Sequence, residues 1–290
     1  MSDIIADISV RKEPLRITVS QGHQIHLLRL YAPAVETRAQ LLVVPGLGHD
    51  SAVWLTGDGG WVYAMARSGW NVYVADTRGK GRSLPKISPQ SDWGLQSLWA
   101  EELPALIKSM RTGHEALPWA CVAEDVSALA VLACLASRPA HHAGLKGLVL
   151  VQAGRPASLQ PSWHWYAVQT AGRCLTRMAG YVQAPWLPGP AAESRQRFFE
   201  SLEWLCAPVW HGEDGVNLDQ QIQQCTLPKI FHIAQEPHWL PVSCVQSLMH
   251  RLPLHDARLL RCEADDIVAW RQGALDAGSL GLAISDWLNA

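Results

Sequence analysis

Residues 118–137 read PWACVAEDVSALAVLACLAS: a short apolar strand, one sharp turn and an apolar helix. Two small residues, Ala123 and Ser127, stand two positions either side of Asp125. A strained strand-to-helix turn demands such neighbours, because larger side chains collide there. Asp125 at the centre is open to three readings. It is a nucleophilic carboxylate, another kind of catalyst, or a cap of helix 126–137 that accepts a backbone N–H at the positive end of the helix dipole.

Outward from this stretch the same alternation recurs. Apolar runs at 40–45 (QLLVVP) and 71–76 (NVYVAD) predict strands covered on both faces, and 145–151 (LKGLVLV), 229–234 (KIFHIA) and 257–262 (ARLLRC) predict further strands. Helices are predicted over 54–68, 95–111, 126–137, near 241–251 and over about 270–288. Residues 15–20 and 24–31 alternate around Gln21-Gly22-His23, as antiparallel edge strands of a hairpin do. The strand–helix–strand order implies an α/β fold built on a mainly parallel, doubly wound sheet with right-handed crossovers. Residues 153–226, rich in Trp, Pro and Gln, break the order and read as a helical cap inserted into a core made of 1–152 and 227–290. Five of the 14 tryptophans fall there (Trp163, Trp165, Trp186, Trp204 and Trp210), either packing a core of their own or lining an apolar pocket.

Composition excludes several classes of function. Charged residues are 17% of the chain, the net charge is −2 and no basic stripe is present, so capture of nucleic acid is not expected. No apolar run approaches the roughly 18 residues of a membrane span, and the opening MSDIIADISVRKEPL lacks the pattern of a secretion signal; a cytoplasmic protein without an integral membrane segment is expected. The seven cysteines are scattered and never form C-x-x-C, which indicates buried thiols and neither a disulfide framework nor a zinc site. Asp125, Asp265, Glu236 and His238 are of metal-ligating type but lack ligand spacing, so neither a metal nor a cofactor is expected.

Four landmarks carry a family resemblance. Pro45-Gly46-Leu47-Gly48 resembles the H-G-x-G turn after the third strand of α/β hydrolases, and Asp76-Thr77-Arg78-Gly79-Lys80-Gly81-Arg82-Ser83 resembles their D-x-R-G-x-G-x-S turn. Ala123 to Ser127 occupies the place of the G-x-S-x-G nucleophile elbow, and Ile284-Ser285-Asp286-Trp287-Leu288 resembles the final helix. The chain thus looks like an α/β hydrolase of the lipase, esterase and polyhydroxyalkanoate-synthase-like kind. The resemblance implies that the N–H groups of Leu47 and Val126 form the oxyanion hole. It also implies that Asp76, Arg78, Gly79 and Gly81 tie a loop together. Ala277-Gly278-Ser279-Leu280-Gly281 nearly repeats the elbow motif but follows no predicted strand, so it fails the motif's structural test.

The family order of nucleophile, acid and histidine is altered here. Asp125 replaces serine, as in relatives such as haloalkane dehalogenases and epoxide hydrolases. Glu236 and His238 occupy the turn where the acid is expected; the alternative acid position, after 145–151, offers only Gln152-Ala153-Gly154. The turn after 257–262 holds Glu263 and Ala264 where glycine and histidine are expected, and no histidine follows His255. His238 and His49 are the candidates for a displaced base. Three readings follow: a protein that binds an apolar acyl- or ester-like small molecule with little or no serine-hydrolase activity, a hydrolase using Asp125 with His238 as base and Glu236 as orienting acid, and a non-catalytic interaction protein.

Overall fold

In a computed structural model of the chain, the described residues are 8–155, 170, 172, 176, 179–187, 189–206, 209–212, 215–236, 240–253, 256–274 and 279–290. The strands are β1 (Arg11–Thr18), β2 (Gln24–Tyr31), β3 (Ala39–Val44), β4 (Trp70–Asp76), β5 (Trp119–Glu124), β6 (Leu145–Val151), the short β7 (Tyr181–Val182) and β8 (Glu193–Ser194), β9 (Lys229–Gln235) and β10 (Ala257–Cys262). Eight of them form one sheet in the order β1-β2-β4-β3-β5-β6-β9-β10. β1 and β2 pair antiparallel, β2 runs antiparallel to β4, and the remaining neighbours are parallel. This is the mainly parallel, doubly wound sheet expected from the sequence.

The helices are α1 (Trp61–Arg67), α2 (Leu103–Arg111), α3 (Asp125–Ser137), α4 (Arg195–Cys206), α5 (Leu218–Gln224), α6 (Val242–Arg251), α7 (Ala264–Arg271) and α8 (Leu280–Asn289). Because side chains alternate along a strand, the sheet feeds two separate cores. Leu41, Val43, Val72, Val74, Ala120 and Val122 pack with Trp61, Trp270 and Trp287 of α1, α7 and α8 on one face. Leu42, Val44, Tyr73, Ala75, Cys121 and Ala123 pack with α2, α3 and α5 on the other. Every residue of α3 from Val126 to Ala136 is buried, as an all-apolar helix requires.

Three predicted elements differ in extent. The helix expected over 54–68 starts only at Trp61, because Gly57, Gly59 and Gly60 disfavour helix and Gly60 is its N-cap. The helix expected over 95–111 contains a wider π-type turn at Leu98–Glu102 before α2. The last helix of 270–288 is two helices: Gly273, at φ 93°, ends α7, and the Ser279 hydroxyl accepts the Leu282 N–H to start α8.

Within 153–226 the described residues form the β7–β8 pair, α4 and α5. Trp204 and Trp210 are buried and stacked with ring centroids 5.3 Å apart, so these two pack core, while Trp186 is exposed. Trp163 and Trp165 lie outside the described residues. A buried ionic chain ties this segment to the sheet. Lys80 meets Glu193 at 2.6 Å, Arg197 meets Glu102 at 2.6 Å, and the Arg197 guanidinium donates to Thr77 Oγ1 at 3.0 Å.

Candidate functional site at the strand-to-helix turn

β5 ends and α3 begins at Asp125, which adopts φ 39°, the left-handed region that a non-glycine residue occupies at a cost of about 1–3 kcal/mol. A sharp turn between a buried strand and a buried helix imposes this conformation. The small neighbours expected from the sequence serve it. Ala123 is fully buried, and the Ser127 hydroxyl donates to the Pro45 carbonyl at 2.8 Å.

Opposite the elbow lies the turn after β3. Its carbonyls are held from outside: Ser127 takes that of Pro45, the Lys80 ammonium that of Gly46 at 3.1 Å, and the Ala191 N–H that of Gly48 at 2.8 Å. With the carbonyls fixed, three successive N–H groups face inward, an arrangement suited to anions. Each meets a carboxylate of the protein itself. Gly46 donates to Glu124 at 3.0 Å, Leu47 to Asp125 at 3.0 Å, and Gly48 to Glu193 at 3.4 Å. Asp125 also accepts the Val126 N–H. A Cβ added to Gly46 would collide with the Asp125 carboxylate, so glycine is required for this approach.

The N–H groups of Leu47 and Val126 therefore both donate to the carboxylate of Asp125. Asp125 does not cap α3 in the ordinary way. Glu124 occupies the N-cap position without a side-chain cap bond, and of the N–H groups of α3 Asp125 takes only that of the residue after it. Burial pushes the Asp125 carboxyl above the usual carboxylate range. Glu124 adds to the rise, while His49 and the two N–H groups oppose it.

Glu124 is the neighbour that sequence reasoning passed over. Its carboxylate receives the His49 Nδ1–H at 3.1 Å, the Gly46 N–H and the Arg271 guanidinium. Burial alone would raise its carboxyl, but Arg271 and His49 outweigh that effect and hold it at about 2. The signal available was the lone charge closing the otherwise apolar strand WACVAE. Arg271, at the end of α7, carried no local signal. Its guanidinium lies 5.3 Å over the Trp54 ring.

The other candidates stand differently. His49 is joined to Glu124 beside the elbow. Glu236 follows β9, is exposed, and its N–H bonds to the Cys262 carbonyl at 2.8 Å; among the described residues no bond links its side chain to Asp125 or His49. His238 lies outside the described residues. Glu263 and Asp266 form a reciprocal capping box that starts α7, which gives both a helix-initiating role in the turn where the family resemblance places a histidine. Gln152, at the alternative acid position, has φ 54° and braces the β6 and β9 ends, donating to the Leu240 carbonyl at 2.9 Å and accepting the Gln235 N–H. No group of three metal-ligating side chains occurs among the described residues.

The D-x-R-G-x-G-x-S turn does tie loops together. Buried Asp76 accepts from Ser51 N–H and Arg82 N–H, each at 2.8 Å, and pairs with His26 at 3.1 Å. The Arg78 N–H donates to Glu102 at 2.8 Å.

No family model and no curated protein matches the chain. Solved structures match it over almost its whole length. A carboxylesterase from the thaumarchaeon Nitrososphaera gargenis has a TM-score of 0.63 at 11% identity, covering 96% of this chain and 98% of that one. A hydrolase from Pseudomonas aeruginosa has a TM-score of 0.60 at 14% identity, covering 96% and 99%. An esterase, RhEst1, from a Rhodococcus species has a TM-score of 0.57 at 14% identity, covering 95% and 97%. The fold is that of the α/β hydrolases. At such identities the likeness carries architecture and not chemistry.

Proposed function

We propose that this chain is an α/β-hydrolase-fold protein without serine-type hydrolysis, which holds an apolar acyl- or ester-like small molecule beneath the inserted cap. The observation that carries the reading is the Asp125 carboxylate seated on the N–H groups of Leu47 and Val126. These are the donors a serine hydrolase reserves for the oxyanion of its tetrahedral intermediate. With a carboxylate on them, an incoming ester carbonyl meets a filled hole and a negative charge. The absence of histidine after His255 removes the usual base as well. The test is a panel of p-nitrophenyl esters from acetate to decanoate, together with calorimetric binding of 2-decanone, a non-hydrolysable analogue of a medium-chain ester. Ester release at the buffer rate with saturable 2-decanone binding is expected. Robust ester turnover that disappears in Asp125→Asn would sink the reading.

One observation favours a second reading. His49, oriented by Glu124 at 3.1 Å, stands beside Asp125 as a base–carboxylate pair. In that reading an Asp125 oxygen attacks a saturated carbon of an alkyl halide or epoxide, and the carbon–halogen or carbon–oxygen bond breaks with its electron pair leaving on the halide or alkoxide. His49 then takes a proton from water, which attacks the ester carbonyl held by Leu47 and Val126. The product alcohol leaves and the carboxylate is restored. A mass increase on the peptide bearing Asp125 during turnover of 1-bromohexane or 1,2-epoxyhexane supports it; no adduct and no halide or diol release removes it.

A further inference from the structure

The two edges of the central sheet are built differently. β1 carries Pro14, which lacks an N–H, among Arg11, Lys12, Glu13 and Arg16, and such residues blunt an edge against further pairing. β10, at the opposite edge, has no proline, and among the described residues no strand pairs with its outer side. Leu259 and Leu260 are half-buried there, whereas β3, β4 and β5 are buried throughout. A groove of about 580 Å³ lies alongside, lined by Phe231, Leu260, Trp287, Arg258 and Asp286 among others.

Backbone direction on β10 is readable from its inner bonds. The Ile230 N–H donates to the Asp256 carbonyl and the Glu236 N–H to the Cys262 carbonyl, both at 2.8 Å. Even-numbered residues thus turn their peptide groups toward β9, and Ala257, Leu259 and Arg261 turn theirs outward. We propose that this edge binds a second copy of the chain, β10 against β10 in antiparallel pairing about a two-fold axis through Leu259. An axis normal to the sheet keeps each side chain on its own face, so it must pass through a residue that opposes itself. Centring on Arg258 or Arg261 sets an arginine against its copy, a repulsive pair. Centring on Leu260 leaves Ala257 without an outward-facing strand partner. Centring on Leu259 uses all three outward residues: Ala257 opposes Arg261 of the second copy, Leu259 its own copy, and Arg261 Ala257.

In this register Arg258 lies opposite Leu260 of the second copy, over the groove that holds Asp286 of that copy. Arg258 and Asp286 are both exposed and neither has an ion pair among the described residues. The pairing makes them charge partners twice over, as the symmetry of an isologous contact requires. The strand contact alone is short, about 20 Å for six residues. Filling the two grooves supplies the further area that a stable dimer needs.

Sedimentation velocity on the whole chain tests this at about 100 μM, where a dimer with a dissociation constant near 10 μM is mostly assembled. A dimer is expected. Arg258→Glu or Asp286→Lys alone should weaken it about tenfold or more, and the double variant should recover most of the loss. Leu259→Pro deletes an outward N–H while leaving the bonds to β9, so it should give a monomer with native near-ultraviolet circular dichroism. If that variant does not fold, the charge exchange decides. A monomeric wild type with native dichroism overturns the proposal, and so does a dimer indifferent to the charge exchange.

Discussion

Replacing Glu124 by glutamine keeps the side chain's volume and an acceptor for the Gly46 N–H, but removes the charge facing Arg271 and His49. The carboxyl is held at about 2 against an ordinary 4.5. At roughly 1.4 kcal/mol per tenfold step in acidity, that depression corresponds to about 3 kcal/mol of stability at neutral pH. Because the folded-state value is the lower one, the stabilisation is complete well above 4.5 and is lost as pH falls from 4.5 through 2. Glu124→Gln should therefore lose about 3 kcal/mol at pH 7 and about half as much at pH 3. Urea unfolding of both proteins at several pH values between 3 and 7 measures the difference directly, with titrations common to both cancelling. A penalty below about 1 kcal/mol at pH 7, or one that stays the same at pH 3, would refute the reasoning.

Asp125→Asn should act in the opposite direction. Burial raises the Asp125 carboxyl, so its charged form opposes folding, and the amide should stabilise the protein at pH 7 with a gain that disappears below pH 4; thermal unfolding at the two pH values reports it. Gly46→Ala places a methyl against the Asp125 carboxylate and should cost about 1–3 kcal/mol, a loss that a second change, Asp125→Ala, relieves; unfolding of the single and double variants gives the coupling. Arg197→Met leaves Glu102 and Glu193 without their shared cation and should destabilise by about 3–5 kcal/mol in the same assay.

The layered sheet was legible because its strands announce themselves locally. LLVV at 41–44 and VYVA at 72–75 are buried on both faces, and a continuous apolar run has few other readings. The sharp strand-to-helix turn at Asp125 is legible for a related reason, since a strained turn limits the size of Ala123 and Ser127 whatever stands between them. The helix expected over 54–68 is shorter in the structure because its tryptophans recur at helical spacing while Gly57, Gly59 and Gly60 delay its start to Trp61. The candidate site was less legible. The donor N–H groups of Leu47 and Val126 follow from backbone shape, but the partners of Glu124 come from residues 49 and 271, which only the folded sheet brings together. The sequence marks Glu236 by its place after a strand, and place in a turn does not say which way a side chain is used.

The Lys80–Glu193 and Arg197–Glu102 pairs also bear on how anything reaches the elbow. Swinging the β8–α4 segment outward as a rigid flap would separate buried opposite charges, at about 4 kcal/mol for a single pair. With both pairs broken, such a state is populated by fewer than about one molecule in a thousand. The pairs thus fasten the β8–α4 segment in place, and Gly189, where an added Cβ would collide with His49 and Gly48, is packed closely beside the site as well.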